Sequence, residues 1–142
     1  MKLAEKLATM SNEQATKEEV VTNEIVNFFA EKFANGEMME AFENNLREEE
    51  IRSRKKDICL DFWTYIPGCP ETYFGLLGKK WKPENSYNYE YKGVNLKNIY
   101  KDVLLEVVEL ARENFEKEGF KVEVHLNYVK RCYDTYIIEI SW

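Results

Sequence analysis

Lys79, Lys80 and Lys82 surround Trp81, and Tyr87, Tyr89, Tyr91 and Lys92 follow closely along the chain. Ammonium groups interleaved with aromatic rings can hold a planar anionic ligand, the cations by charge and the rings by stacking. These eight residues are therefore the candidate site for a ligand or partner. The bland alternative is that Trp81 and the tyrosines pack beneath a helix while the lysines stay solvated on their long stems. Both readings stand at the level of sequence.

Other constellations fail on spacing. The only histidine, His125, shares the polar side of an alternating segment with Glu123 and Asn127, and Glu139 or Ser141 is placed to oppose it across a hairpin. A nucleophilic set can be drawn from Cys59, His125 and Asp61, or from Ser141 and His125, but neither occupies a recognised motif. No catalytic residue is assigned. Cys59, Cys69, Cys132 and His125 lack the close pairs that anchor structural zinc, and Glu48 to Glu50 lack the alternating ligands of a calcium loop. No metal and no cofactor is expected.

The run Gly75-Leu76-Leu77-Gly78-Lys79-Lys80 fails as a P-loop, which requires glycine where Tyr73 stands and Ser or Thr where Lys80 stands. A KH-type GxxG clamp would need helices on both sides, whereas this run follows a strand and precedes Pro83. It reads as a turn.

The chain that must position these residues has 142 of them, 44% apolar and 32% charged, which suits one globular core spanning 1–142. Its net charge of −6 opposes general binding to phosphate backbones, so DNA is not the expected partner. Residues 58–94 carry four acids and four bases, leaving that third neutral and aromatic. The 14% aromatic content exceeds the need of a minimal core and predicts that some rings line a binding or self-association surface. An odd cysteine count without CxxC spacing, no signal peptide and no apolar run of about 20 residues predict a cytoplasmic, non-membrane protein.

Hydrophobic spacing predicts an α+β fold with helices over 1–57 and an antiparallel sheet plus one long helix over 58–142. Leu3, Leu7 and Met10 form a short amphipathic start, and Ser11 with Gln14 or Thr16 with Glu19 predicts a capping box where a helix restarts. That helix continues through Val21, Ile25, Phe28, Phe29 and Phe33 to Asn35-Gly36. A thin-striped helix follows over Met38 to Lys56, a candidate surface for homo-oligomers. Ile58 to Ile66 predicts a strand ended by Pro67-Gly68, and a short hairpin is expected around Tyr73 to Leu77. Tyr87, Tyr89 and Tyr91 predict a further strand with three rings on one face.

The clearest helix runs from Asn95 to Glu118 and stops at Gly119. Phe120, Val122, Val124, Leu126 and Tyr128, then Tyr136, Ile138, Ile140 and Trp142, alternate with polar residues as a terminal hairpin turning near Arg131 to Asp134. A sheet of three to five strands with the long helix on one face is the expected architecture.

The last third, with Glu118-Gly119-Phe120-Lys121-Val122-Glu123 after a long helix and Ile140-Ser141-Trp142 at the end, resembles the C-terminal end of small phage and prophage proteins. The resemblance implies a viral source and no particular activity. The resulting expectation is a phage-encoded accessory protein that binds, such as an inhibitor of a host or defence protein, with a host or phage protein as partner. The alternatives are a protein that sequesters a nucleotide-like signal through Lys79 to Lys92, and a small hydrolase centred on His125.

Overall fold

A computed structural model of the chain describes residues 2–64, 71–130 and 133–142. The first helix, α1 (Leu3–Ala34), runs unbroken, which corrects the expected restart near Ser11 or Thr16. Neither hydroxyl caps a new helix. Ser11 Oγ donates to the Leu7 carbonyl and Thr16 Oγ1 to that of Asn12, each at 2.9 Å, bonds that a continuing helix allows. Nothing between Leu3 and Ala34 is glycine or proline. The helix stops as predicted at Asn35 and Gly36, the latter at φ 83°.

The single helix expected over Met38 to Lys56 is two, α2 (Glu37–Asn44) and α3 (Glu48–Ser53). Side chains divide it. Asn45 Nδ2 donates to the Ala41 carbonyl at 2.6 Å, closing α2, and the Arg47 N–H donates to Glu50 Oε1 at 2.8 Å, opening α3. Arg54, at φ 57°, turns the chain into strand β1 (Lys55–Trp63), which starts ahead of the expected Ile58.

Strands β2 (Tyr73–Leu76) and β3 (Lys79–Trp81) form the expected short hairpin, whose turn places Leu77 at φ 49° and Gly78 at φ 80°. A two-residue turn of this hand matches the twist of the strands, and the Leu77 side chain packs against the core. Next come a small ribbon, β4 (Glu90–Tyr91) with β5 (Val94–Asn95), and a 3₁₀ turn Leu96–Asn98. The long helix α4 (Tyr100–Lys117) therefore begins later than Asn95, because Asn95 pairs in the ribbon and its side chain accepts from the Lys97 N–H. Gly119 at φ 93° ends it as expected.

Strands β6 (Lys121–Lys130) and β7 (Tyr133–Ser141) complete a five-stranded antiparallel sheet in the order β3-β2-β1-β7-β6. The fold is α+β, as the hydrophobic pattern predicts. Ile66, the Pro67-Gly68 turn and the hairpin tip at 131–132 lie outside the described residues. Leu126, expected to face the core, is 65% exposed.

One face of the sheet is covered. Ile58, Leu60, Phe62, Phe74, Leu76, Ile138 and Ile140 are buried beneath Val103, Leu104, Val107, Val108, Ala111 and Phe115 of α4 and Val21, Ile25 and Phe29 of α1. The other face carries Lys55, Asp57, Cys59, Asp61 and Trp63 of β1, since successive strand residues point to opposite sides.

Replacing the fully buried Val107 by Asp puts an unpaired charge into this core at a cost of several kcal/mol. The expected outcome is an unfolded chain by circular dichroism, and an unchanged melting temperature would refute it. A second test concerns Glu50, whose pKa is lowered from 4.5 to about 2, first by the Arg47 N–H and then by the Arg47 guanidinium and Lys56. A carboxyl depressed in the folded state adds stability that is present above its unfolded pKa and lost as pH falls toward its folded one. Glu50→Gln should therefore lower the melting temperature at pH 7, with the gap to wild type closing between pH 4.5 and about 2.

Candidate functional site

The eight residues expected to form one surface are spread over several environments. Trp81 lies inside, 8% exposed, edge-on to Tyr91 at 5.0 Å between ring centres and 6.1 Å from Phe74. Lys80 projects to the opposite side of β3, where its ammonium sits 4.4 Å from the Tyr73 ring centre. This alternation is what prevents Lys79, Lys80, Trp81 and Lys82 from lining a common groove. Lys79 borders a hollow shared with Glu37 and Glu40 on α2, and Lys82 is paired with Glu71 at 3.0 Å.

The expected strand through Tyr87, Tyr89 and Tyr91 is corrected too. Only Tyr91 lies in a strand. Asn85 Oδ1 accepts from the Tyr87 N–H and Asn88 Oδ1 from the Glu90 N–H, each at 3.1 Å, so asparagine turns replace the ladder. Tyr87 is 64% exposed, and Tyr89 carries the Lys97 ammonium 4.2 Å from its ring centre. The Tyr91 hydroxyl donates to Glu24 Oε1 at 2.8 Å, and Lys92 approaches the same oxygen at 3.3 Å. Burial and then the Glu24 bond raise the Tyr91 pKa, while Tyr91 and Glu24 raise that of Lys92. The ribbon is thereby tied to α1.

The drawn nucleophilic sets do not converge. Cys59 opposes Ile137, which opposes His125, so two strand spacings of about 4.8 Å separate Cys59 from His125. Ser141 opposes Lys121, four positions from His125 along β6, or about 13 Å. What does meet His125 is Glu139. Its Oε2 lies 3.7 Å from Nε2, and Oε2 of Glu123 lies 3.8 Å from the same nitrogen. Sequence spacing placed Glu123 beside His125 and left Glu139 and Ser141 as alternatives; the register sets Ile137 opposite His125, and Glu139 reaches the imidazole from the diagonal position.

Two further features went unread in the sequence. On the outer face, Gly75 sits in register between Asp61 and Lys80, and a hollow of about 400 Å³ opens there beside Tyr73. A Cβ at position 75 would lie 3.1 Å from the Tyr73 ring, tighter than ordinary packing, so glycine lets that ring approach the strand closely. Nearby, Thr135 Oγ1 donates to Asp61 Oδ1 at 2.8 Å, while burial raises the Asp61 pKa more than this bond lowers it.

The second feature is the start of α1. Gln14 donates to the Gly93 carbonyl of the ribbon at 3.3 Å, and the turns before it extend past the body of the fold. Leu3, Leu7 and Met10 are 69%, 51% and 54% exposed there. They share one side of the helix, and at 100° per residue that side is the one Val21 and Ile25 bury further along. The sequence revealed the amphipathic start but not that it overhangs.

Trp81→Ala should destabilise the protein by about 3–5 kcal/mol, the usual result of emptying a buried aromatic position. A normal melting temperature in that variant would show the ring to be dispensable to the core. Turning to known proteins, no family model, curated protein or solved structure matches this chain.

Proposed function

We propose that this protein acts by binding a partner protein, and that the contact is made by the overhanging start of α1. The observation that carries this reading is the exposed stripe of Leu3, Leu7 and Met10, which no other described residue covers. Spacings of four and then three residues suit an amphipathic helix of the partner, laid along the stripe with its own apolar side chains between these three. An exposed apolar stripe has a cost in solubility and contributes little to the fold unless something packs on it.

The resemblance of the last third to small phage and prophage proteins supports a viral accessory role, such as restraining a host or defence protein. A nucleotide-like ligand at Lys79 to Lys92 has less support. Trp81 is buried, Lys82 and Lys92 are paired with Glu71 and Glu24, and Lys79 stands beside Glu37 and Glu40.

The test is capture from expressing cells with two baits, wild type and the double variant Leu7→Glu with Met10→Glu. Both should melt alike, because the two side chains lie outside the core. Burying two such side chains is worth about 1.5–3 kcal/mol each, so the double variant should bind the captured protein at least about 100-fold more weakly. Equal binding by both baits would overturn the assignment of the surface. A wild-type dimer that the double variant loses, with no heterologous partner, would replace it by self-association.

A further inference from the structure

Glu123, His125 and Glu139 project from two adjacent strands on the uncovered side of the sheet. Glu123 and Glu139 are directly opposed in the register, and His125 follows Glu123 by one full pleat on the same face. One donor atom from each comes within 4.8 Å of the other two, with histidine Nε2 lying 3.7 and 3.8 Å from the two Oε2 atoms.

The two distances from Nε2 are informative because they are too long for hydrogen bonds and close to those of ligands around one ion. Zinc bonds of about 2.0–2.2 Å to imidazole nitrogen and carboxylate oxygen, set tetrahedrally, put donor atoms about 3.4 Å apart. Moving each carboxylate oxygen by a few tenths of an ångström brings both to that distance from Nε2, and the two oxygens, within 4.8 Å of each other, must also close toward it. Glu123 is 71% exposed and free to rotate into place, while Glu139, 21% exposed, is held against the sheet. Imidazole nitrogen together with carboxylate oxygen favours zinc and its transition-metal neighbours over magnesium, which prefers oxygen ligands and retained water.

We infer that Glu123, His125 and Glu139 form a binding site for one zinc-class divalent ion, with the remaining coordination position open to solvent. The ammonium of Lys55 is the competitor built into the site. It lies 3.0 Å from Glu139 Oε2, the same oxygen that faces His125, so a metal must share or displace that pair. Removing Lys55 should therefore tighten metal binding.

The experiment uses the untagged full chain, because an affinity tag of histidines would mask the site. Zinc is titrated in competition with a chromophoric chelator, and magnesium is titrated by calorimetry as the control. One zinc per chain is expected, with magnesium giving no saturable binding in the same range. His125→Ala and Glu139→Gln should each weaken zinc by at least about tenfold, the scale on which even supporting partners of a metal act. Lys55→Met should bind more tightly than wild type. All these positions are exposed or half-buried at the surface, so unchanged circular dichroism is expected throughout. Failure of wild type to bind zinc saturably, unchanged affinity in His125→Ala, or loss of binding in Cys59→Ser would each overturn the site.

Discussion

Phe115, in the last turn of α4, is fully buried against Phe33 of α1, Phe42 of α2 and Phe120 at the head of β6, with ring centres 6.0, 5.0 and 5.7 Å away. Phe42 and Phe120 also meet Trp142, at 6.2 and 5.8 Å, and every one of these contacts is edge-on. The positive edge of one ring toward the negative face of another is worth about 0.5–1.5 kcal/mol per pair beyond the area buried. More consequential is what the cluster joins. It fixes where α4 stops, hence where Gly119 turns and how β6 enters the sheet beside β7. A slip of one residue there would exchange the two faces of β6, placing Glu123 and His125 in the core and Val122 and Val124 in solvent.

A second aromatic group does similar work at the other end. Phe62 stacks on Phe74 at 4.7 Å and on Tyr100 at 4.8 Å, and Phe74 leads through Trp81 to Tyr91. Much of the aromatic surplus that suggested a binding surface is thus gathered into two clusters. A small domain with a sheet covered on one side has a thin core, and large rings fill it with few residues. Trp63 and Tyr73, stacked at 5.8 Å, form a pair on the uncovered face.

The parts of the fold legible in the sequence are those governed by a single period. Val103, Val107, Ala111 and Phe115 repeat at helical intervals, and Ile138 and Ile140 alternate, so α4 and β7 follow from hydrophobicity alone. The errors fall where a polar side chain decides. Asn45 and Glu50 split one expected helix into two, Asn85 and Asn88 convert an expected tyrosine strand into turns, and Ser11 and Thr16 bond backward without capping. A motif such as Ser-x-x-Gln states what these side chains can do, whereas the choice depends on whether the flanking backbone is already helical. The same limit applies to the site. Spacing along the chain revealed that Glu123 and His125 share a face, but their meeting with Glu139 required the register of two strands.

The two candidate surfaces differ in how tightly folding constrains them. Glu123, His125 and Glu139 stand on the ladder itself, so their backbone positions are as firm as the pairing of β6 with β7. The overhang of α1 is held differently. Helix growth is favourable once nucleated, and the packed half of α1, from Val21 to Phe33, supplies the nucleus from which the exposed turns extend. No tertiary contact before Gln14 is needed to explain a helix there, only propagation along residues such as Ala4, Glu5, Lys6, Leu7 and Ala8 with high helix propensity. Leu3, Leu7 and Met10 are consequently presented in fixed register with one another while contributing little to the core. A surface of that kind can change its side chains without changing the fold, which separates selection for a partner from selection for stability.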